Sequence, residues 1–113
     1  MTLAEAASEW LDDQLHRDGI KIIRPAAGYS SCPDHTLKDE IMEMLSGRFG
    51  LGIKLTESYA MIPESSICGF IFMHPEAKYS EIRRISKEQY DGYASVRGMD
   101  EDRARRFLGH LLK

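Results

Sequence analysis

The stretch Arg24-Pro25-Ala26-Ala27-Gly28-Tyr29 decides how this chain is interpreted. Pro25 holds the backbone extended and has no N–H for a strand ladder, whereas Gly28 can adopt a positive φ. The segment is therefore neither a regular helix nor part of a central strand. It is typical of a rigid loop, which is either a plain turn between core elements or a loop that presents its backbone amides and carbonyls to a small ligand.

Length and composition indicate one small globular domain. The chain has 113 residues, of which 42% are hydrophobic and 29% charged, an ordinary balance for a folded protein. A formal net charge of −3 argues against a general nucleic-acid-binding protein. The longest apolar run, Ile67 to Met73, is too short to span a membrane. The start of the chain lacks the pattern of an export signal, and the two cysteines are no disulfide framework, so we expect a cytoplasmic protein.

Apolar residues at helical spacing predict four helices. The first runs from about Leu3 to His16, and Thr2 followed three residues later by Glu5 is a capping-box pattern at its start. The other three are expected to begin near Asp34 or Thr36, at Ser86 and at Asp100.

The extended segments lie in the first two thirds of the chain. Ile20–Ile23 leads into the Arg24 loop, and alternation over Ile53–Thr56 with a second run at Tyr59–Ile62 predicts two strands. The apolar run Ile67–Met73 predicts a strand buried on both faces, ended by His74-Pro75. The fold class that follows is α+β, with antiparallel strands packed against helices.

The residue types that could carry chemistry do not form a recognisable catalytic or metal motif. Structural zinc sites usually show paired ligands such as Cys-x2-Cys, and Cys32, His35, Cys68 and His74 have no such spacing. A helix start can depress the thiol pKa of Cys32, but no His/Asn partner pattern accompanies it. We therefore expect neither a metal site nor a catalytic residue.

Several further motifs accompany the Arg24 loop. In order and spacing, the set resembles the C-terminal activation domain of cobalamin-dependent methionine synthase, continuously from Arg24 to about Leu112. The helix around Leu3 to Leu11 also resembles a helix of that family, but a large N-terminal portion of the usual domain has no counterpart. Residues 1–113 are thus expected to form a single, partial domain of this kind. Besides the hexapeptide, the motifs are Cys32-Pro33-Asp34-His35-Thr36, Leu55-Thr56-Glu57-Ser58, His74-Pro75 and Lys78-Tyr79.

The resemblance implies a fold and an activity. Domains of this family have a twisted antiparallel sheet packed with helices, and they bind S-adenosylmethionine in a shallow groove. They dock over the cobalamin-binding domain of methionine synthase when its cobalamin has been oxidised to cob(II)alamin. With an electron from flavodoxin or a related reductase, the methyl group of S-adenosylmethionine then regenerates methylcobalamin.

The resemblance also implies ligand-binding residues. Arg24 would contact the ligand carboxylate, a task that suits a guanidinium. Ala26, through its backbone, and Tyr29 would hold the adenosyl part, with Gly28 permitting a close approach. The remaining positions that match ligand contacts are Tyr79, Ser80 and Glu5.

Two of these assignments are not simple matches, and one ligand contact of the family has no counterpart. The family often has a second tyrosine where this chain has Ser80, so one aromatic wall would be missing. Glu5 matches a glutamate that faces the ligand, and it equally completes the Thr2 capping box. In the family, the missing N-terminal portion supplies an acidic residue for the ligand amino group, and no residue of this chain is assigned to that role. Asp18 is a further, weaker candidate near the site.

Alternatives remain open at the level of function. The chain could be a docking or regulatory subunit of a cobalamin methyltransferase without methyl-transfer competence, or a plain S-adenosylmethionine-binding module. An open groove with Tyr79 at its rim would favour self-association or a partner chain. Alternatively, the helix from Leu3 to His16 folds over the gap and buries Trp10.

Overall fold

The computed structural model of the chain describes residues 3–17, 19–50, 52–64 and 66–113. All four predicted helices are present among them, which confirms the helical part of the prediction. Thr2 and Asp18, with the interpretations that rest on them, lie outside the described residues. The helices are α1 (Leu3–Arg17), α2 (Leu37–Phe49), α3 (Lys87–Val96) and α4 (Glu101–Leu108), followed by a 3-10 turn (Gly109–Leu111).

The described strands are short and pair in two antiparallel ladders. In the first ladder Ile22 lies opposite Met73 and Ile23 opposite Phe72; in the second, Lys54 lies opposite Ile62. The α+β class with antiparallel pairing is therefore confirmed. The strands are β1 (Ile22–Ile23), β2 (Lys54–Leu55), β3 (Met61–Ile62) and β4 (Phe72–Met73).

The main hydrophobic core lies between the two C-terminal helices. Ser86 caps α3, and with Gln89 it forms both hydrogen bonds of the predicted capping box. The Asp100 side chain accepts a hydrogen bond from the backbone N–H of Arg103 and so caps α4. Gly98, at φ +67°, turns the chain between the two helices. The buried residues of this core are Tyr90, Ala94, Ala104, Leu108 and Leu111.

A buried carboxylate attaches the start of α2 to this helical core. Asp34 accepts hydrogen bonds from the Thr36 backbone N–H at 2.8 Å and from the Tyr93 hydroxyl at 2.6 Å. Burial and the hydrogen bond to Asp34 raise the pKa of Tyr93 well above its usual value. The same carboxylate lies 3.6 Å from Arg97 Nε. These contacts fix the position of the loop that precedes α2. The Arg24 motif lies at the other end of that loop.

Two of the predicted extended segments differ from the structure. Only Phe72–Met73 of the run Ile67–Met73 forms a strand, and these two residues are 51% and 61% exposed, so the prediction of a strand buried on both faces is wrong. In the run, Cys68 and Phe70 are partly buried, and Phe70 is hydrogen-bonded to the Arg24 loop. Ile67 and Ile71 are 40% and 39% exposed. Tyr59 is not extended either: it has φ +66° in a turn that its N–H closes onto the Thr56 carbonyl.

Candidate functional site

A groove of about 860 Å³ lies between α1, the Arg24 loop and the segment that leads into β4. We call it the α1 groove. Four α1 side chains form one wall, and they recur at i, i+3, i+4 and i+7 on a single face of the helix. The Arg24 loop and the apolar run provide the remaining walls. The lining residues are Ala4, Ala7, Ser8, Leu11, Arg24, Pro25, Ala26, Tyr29, Ser30, Ser31, Ile53, Ser66, Ile67, Cys68, Gly69, Phe70, Ile71 and Tyr79.

The α1 groove stays open because the helix presents small side chains to it. Ala4, Ala7 and Ser8 line the wall, whereas Trp10 is 64% exposed and is not a lining residue. No residue of α1 is buried. The alternative in which this helix closes the gap and buries Trp10 is therefore wrong.

Arg24 is held at the α1 side of the groove by three side chains. Its Nη1 donates to Ser8 Oγ at 2.5 Å and its Nη2 to Glu9 Oε1 at 3.0 Å. Its Nε lies 3.2 Å from Asp12 Oδ1, in ion-pair range but without hydrogen-bond geometry. Burial by itself would lower the pKa of Arg24, but the hydrogen bond to Glu9 and the charge of Asp12 raise it. The guanidinium is thus a fixed cation, 22% exposed.

The loop after Arg24 continues the pairing of β1 with β4. The Pro25 carbonyl accepts a hydrogen bond from the Phe70 N–H at 2.9 Å. A Cβ at Gly69 would lie only 2.9 Å from that carbonyl oxygen and 3.2 Å from Ala26 Cα. A glycine at this position lets the two backbones approach, which brings Ala26 against the floor of the groove.

Gly28 is required by its contact with a histidine. It has φ +98°, and a Cβ there would lie 2.1 Å from Cε1 of the His35 ring. Burial, followed by the charge of Lys38, lowers the pKa of His35 below its usual value, which favours the uncharged form of the ring. The close approach permitted by Gly28 is therefore filled by His35, and the glycine is not itself a lining residue of the groove.

The other site residues predicted from the sequence are placed as follows. Tyr29 and Tyr79 line the groove and are 63% and 57% exposed. The Tyr79 hydroxyl accepts a hydrogen bond from the Arg24 N–H at 2.6 Å. Ser80 is exposed, and neither it nor Glu5 is a lining residue. Glu5 lies one helical turn before Glu9, on the same face of α1. The structure thus brings together Arg24, Ala26, Tyr29 and Tyr79.

Sequence reasoning missed the three α1 residues that surround Arg24. They are Ser8, Glu9 and Asp12, and the sequence assigned none of them to the site. The available signal was their spacing, because Glu5, Glu9 and Asp12 recur at i, i+4 and i+7 and so form an acidic stripe. An arginine that follows such a helix after a short connection is a natural partner for that stripe.

A second cavity, of about 580 Å³, lies against the C-terminal helices. Its walls are mainly apolar, with Leu37, Ile85 and Leu111 among them, and no Lys or Arg lines it within the part of the chain that the structure describes. It therefore offers no cation for a ligand carboxylate, in contrast to the α1 groove.

The cysteine next to this second cavity is not activated. Burial and the charge of Asp34 raise the pKa of Cys32, so the interpretation of a depressed thiol pKa is wrong. The start of α2, about five residues further on, would lower this pKa. The loss of solvent and the nearby Asp34 carboxylate raise it by more. Across the described ranges, no three His, Cys, Asp or Glu side chains lie close enough together to hold a metal ion.

Comparison with known proteins agrees with this geometry. The family described as "Vitamin B12 dependent methionine synthase, activation domain" matches residues 3–98. The chain belongs to this family. The match includes both α1 and the Arg24 loop, so the two main walls of the α1 groove are part of the shared activation-domain fold.

The chain is also similar to a solved structure. The chain is 36% identical to the protein in "Crystal Structure of the MetH Reactivation Domain bound to AdoHcy", with a TM-score of 0.81. The match covers 97% of this chain and 39% of that one, so the chain spans well under half of the reactivation domain that it resembles. Within the described parts of the chain, no helix is long and apolar enough to cross a membrane.

Proposed function

We propose that this chain is an S-adenosylmethionine-binding module that supports the reductive methylation of cob(II)alamin in cobalamin-dependent methionine synthase. The observation that carries the proposal is the position of Arg24. Its guanidinium is fixed at the wall of an open groove, in a chain that belongs to the activation-domain family. The structural neighbour is a reactivation domain bound to AdoHcy, the demethylated product of S-adenosylmethionine.

The walls of the α1 groove suit the parts of this ligand. Arg24 would hold the carboxylate of the methionyl part through charge-assisted hydrogen bonds. The backbone of Ala26 and the ring of Tyr29 would hold the adenosyl part, and Tyr79 would add a second aromatic wall. Glu5, Gly28 and Ser80 are not lining residues of the groove, and we propose that Gly28 acts through the shape of the loop.

The proposed methyl transfer needs few catalytic groups from the chain itself. When bound, S-adenosylmethionine supplies a methyl group attached to a positively charged sulfur. The neutral thioether that remains after methyl transfer is a good leaving group. The residues of the groove have to hold the ligand with that methyl group facing outwards and keep water away from it, which is catalysis by proximity and orientation. The lack of an acid–base pair in the sequence motifs is consistent with this role.

The shape of the chain supports a partner. The radius of gyration is 15.6 Å, compared with about 13 Å expected for a compact domain of this length. Phe72, Met73 and Tyr79 are more than half exposed near the groove. We propose that the cobalamin-binding domain of methionine synthase faces this surface, that flavodoxin or a related reductase supplies the electron, and that the isolated chain can self-associate through it. The two free cysteines fit a cytoplasmic location.

Transfer of an isotopically labelled methyl group tests the proposal. The chain is mixed with a cobalamin-loaded methionine synthase that lacks its own activation domain, a matched reductase and methyl-labelled S-adenosylmethionine. Label that appears on cobalamin at a rate proportional to the concentration of this chain supports the proposed function. Complex formation without label transfer would instead identify a docking subunit. Ligand binding without a complex would identify a plain binding module.

A further inference from the structure

Arg24 is surrounded by more negative than positive charge. Its guanidinium lies 3.0 Å from the Glu9 carboxylate and 3.2 Å from that of Asp12. On the far side of Asp12, His16 Nδ1 lies 3.4 Å from Asp12 Oδ1. The formal charges of Arg24, Glu9 and Asp12 add up to one surplus negative charge. A carboxylate ligand that binds Arg24 therefore meets repulsion unless it also brings a positive charge.

An α-amino acid brings that charge to the right distance. Its ammonium and carboxylate groups are attached to the same carbon, so a ligand that places its carboxylate on Arg24 must place its ammonium within a few ångströms. The carboxylates within that distance are on α1. This step rests on the proposed function, because it takes the methionyl end of S-adenosylmethionine as the group that reaches Arg24.

We propose that Asp12 binds the ligand ammonium. Its side chain is 22% exposed, compared with 56% for Glu9, so its carboxylate is the less hydrated of the two. Glu9 already accepts a hydrogen bond from Arg24. Asp12 is not itself a lining residue of the groove, but it follows the lining residue Ser8 by one helical turn. Its carboxylate reaches Arg24, which does line the groove. Arg24 Nε has no hydrogen-bond partner although Asp12 Oδ1 is 3.2 Å away, so the lone pairs of this carboxylate are not fully used by Arg24.

The opposing view is that Asp12 only positions Arg24. The two roles differ in which part of the ligand they serve. A positioning residue affects binding of the ligand carboxylate, whereas an ammonium-binding residue affects binding of the ligand amine. Three uncharged-sulfur ligands separate these effects: S-adenosylhomocysteine, its decarboxylated analogue, which keeps the amine, and its deaminated analogue, which keeps the carboxylate.

The experiment is calorimetric titration of the three ligands into the parent chain, Asp12→Asn and Asp12→Ala. The alanine variant is included because alanine preserves helix α1 best. Asp13→Asn is the matched control, since it removes the same charge from the same helix at an exposed position. We expect both Asp12 variants to weaken S-adenosylhomocysteine and the decarboxylated analogue about tenfold or more. The deaminated analogue should not be weakened, and it should bind somewhat more tightly because a repelling charge has been removed. Asp13→Asn should leave all three unchanged.

Other outcomes have distinct meanings. If the Asp12 variants weaken the deaminated analogue as much as the decarboxylated one, or weaken neither, Asp12 does not bind the ammonium and the inference is overturned. A variant that fails to fold loses all three ligands together, which circular dichroism identifies, and the other variant then decides. If the parent chain binds none of the three ligands, it is the proposed function that fails.

Discussion

The side-chain hydroxyl of Tyr79 accepts a hydrogen bond from the backbone N–H of Arg24 at 2.6 Å. This bond joins two motifs that are 55 residues apart in the sequence. It fixes the start of the Arg24 loop to the segment that follows β4, and it places the ring of Tyr79 beside the α1 groove. Two motifs that are far apart in the sequence are therefore in direct contact at the groove.

Tyr79→Phe should weaken S-adenosylhomocysteine binding while the fold is retained. The change removes only the hydroxyl, so the Arg24 N–H loses its partner and the start of the loop is less well fixed. The expected loss of binding free energy is about 1 kcal/mol, because the tyrosine is 57% exposed and water can replace the hydroxyl. Tyr79→Ala, which also removes the ring, should lose more. Equal affinities of the parent and Tyr79→Phe, measured by calorimetry, would show that this bond does not shape the site.

Gly28→Ala should destabilise the chain strongly. The new Cβ would collide with the His35 ring, and the alanine would also have to adopt φ +98°. Gly98→Ala is the matched control, since Gly98 has φ +67° but no atom within 4 Å of a Cβ. In the control, the free energy of unfolding should fall by about 1 kcal/mol from backbone strain alone. In Gly28→Ala it should fall by about 1–3 kcal/mol more, because the core there is overpacked. Urea unfolding of both variants measures the difference, and equal losses would mean that the contact with His35 is easily relieved.

The contribution of His35 to the stability of the chain should rise with pH as the pH approaches about 6.5 from below. The pKa of His35 is lowered in the folded state, so between that pKa and about 6.5, the value in the unfolded chain, the unfolded state binds more protons. The free energy of unfolding therefore increases with pH in this window. The groups facing the ring are Lys38, Asp34 and His110.

His35→Gln is the comparison that isolates this effect. The variant lacks the titrating ring, so its unfolding free energy should depend less steeply on pH over the same range, whatever its absolute stability. Urea unfolding at several pH values gives both slopes. Parallel slopes for the parent and the variant would show that His35 does not have a lowered pKa.

The helices were predictable because their signals are local. Ser86 with Gln89, and Asp100 before α4, cap their helices through bonds within four residues. The burial of Ile67–Met73 was not predictable in the same way, because an apolar run does not reveal how many of its sides another layer will cover.

The same distinction between local and tertiary signals applies to the candidate site. Arg24, Tyr29 and Tyr79 were predicted together and line one groove, since their motifs occur in the sequence itself. The contacts of Arg24 with Ser8, Glu9 and Asp12 depend on how α1 is rotated relative to the loop, which is a tertiary property. The same is true of the His35 ring that faces Gly28.

The most direct test of the central claim is the affinity of S-adenosylhomocysteine for the parent chain and for Arg24→Ala. Arg83→Ala is the matched control, because Arg83 is 79% exposed and is paired only with Glu81 in the described contacts. The account predicts measurable binding to the parent chain and to the control. It predicts a loss of about 2 kcal/mol or more in Arg24→Ala, roughly thirtyfold in Kd. An unchanged Kd in Arg24→Ala, or no binding to the parent chain, would contradict it.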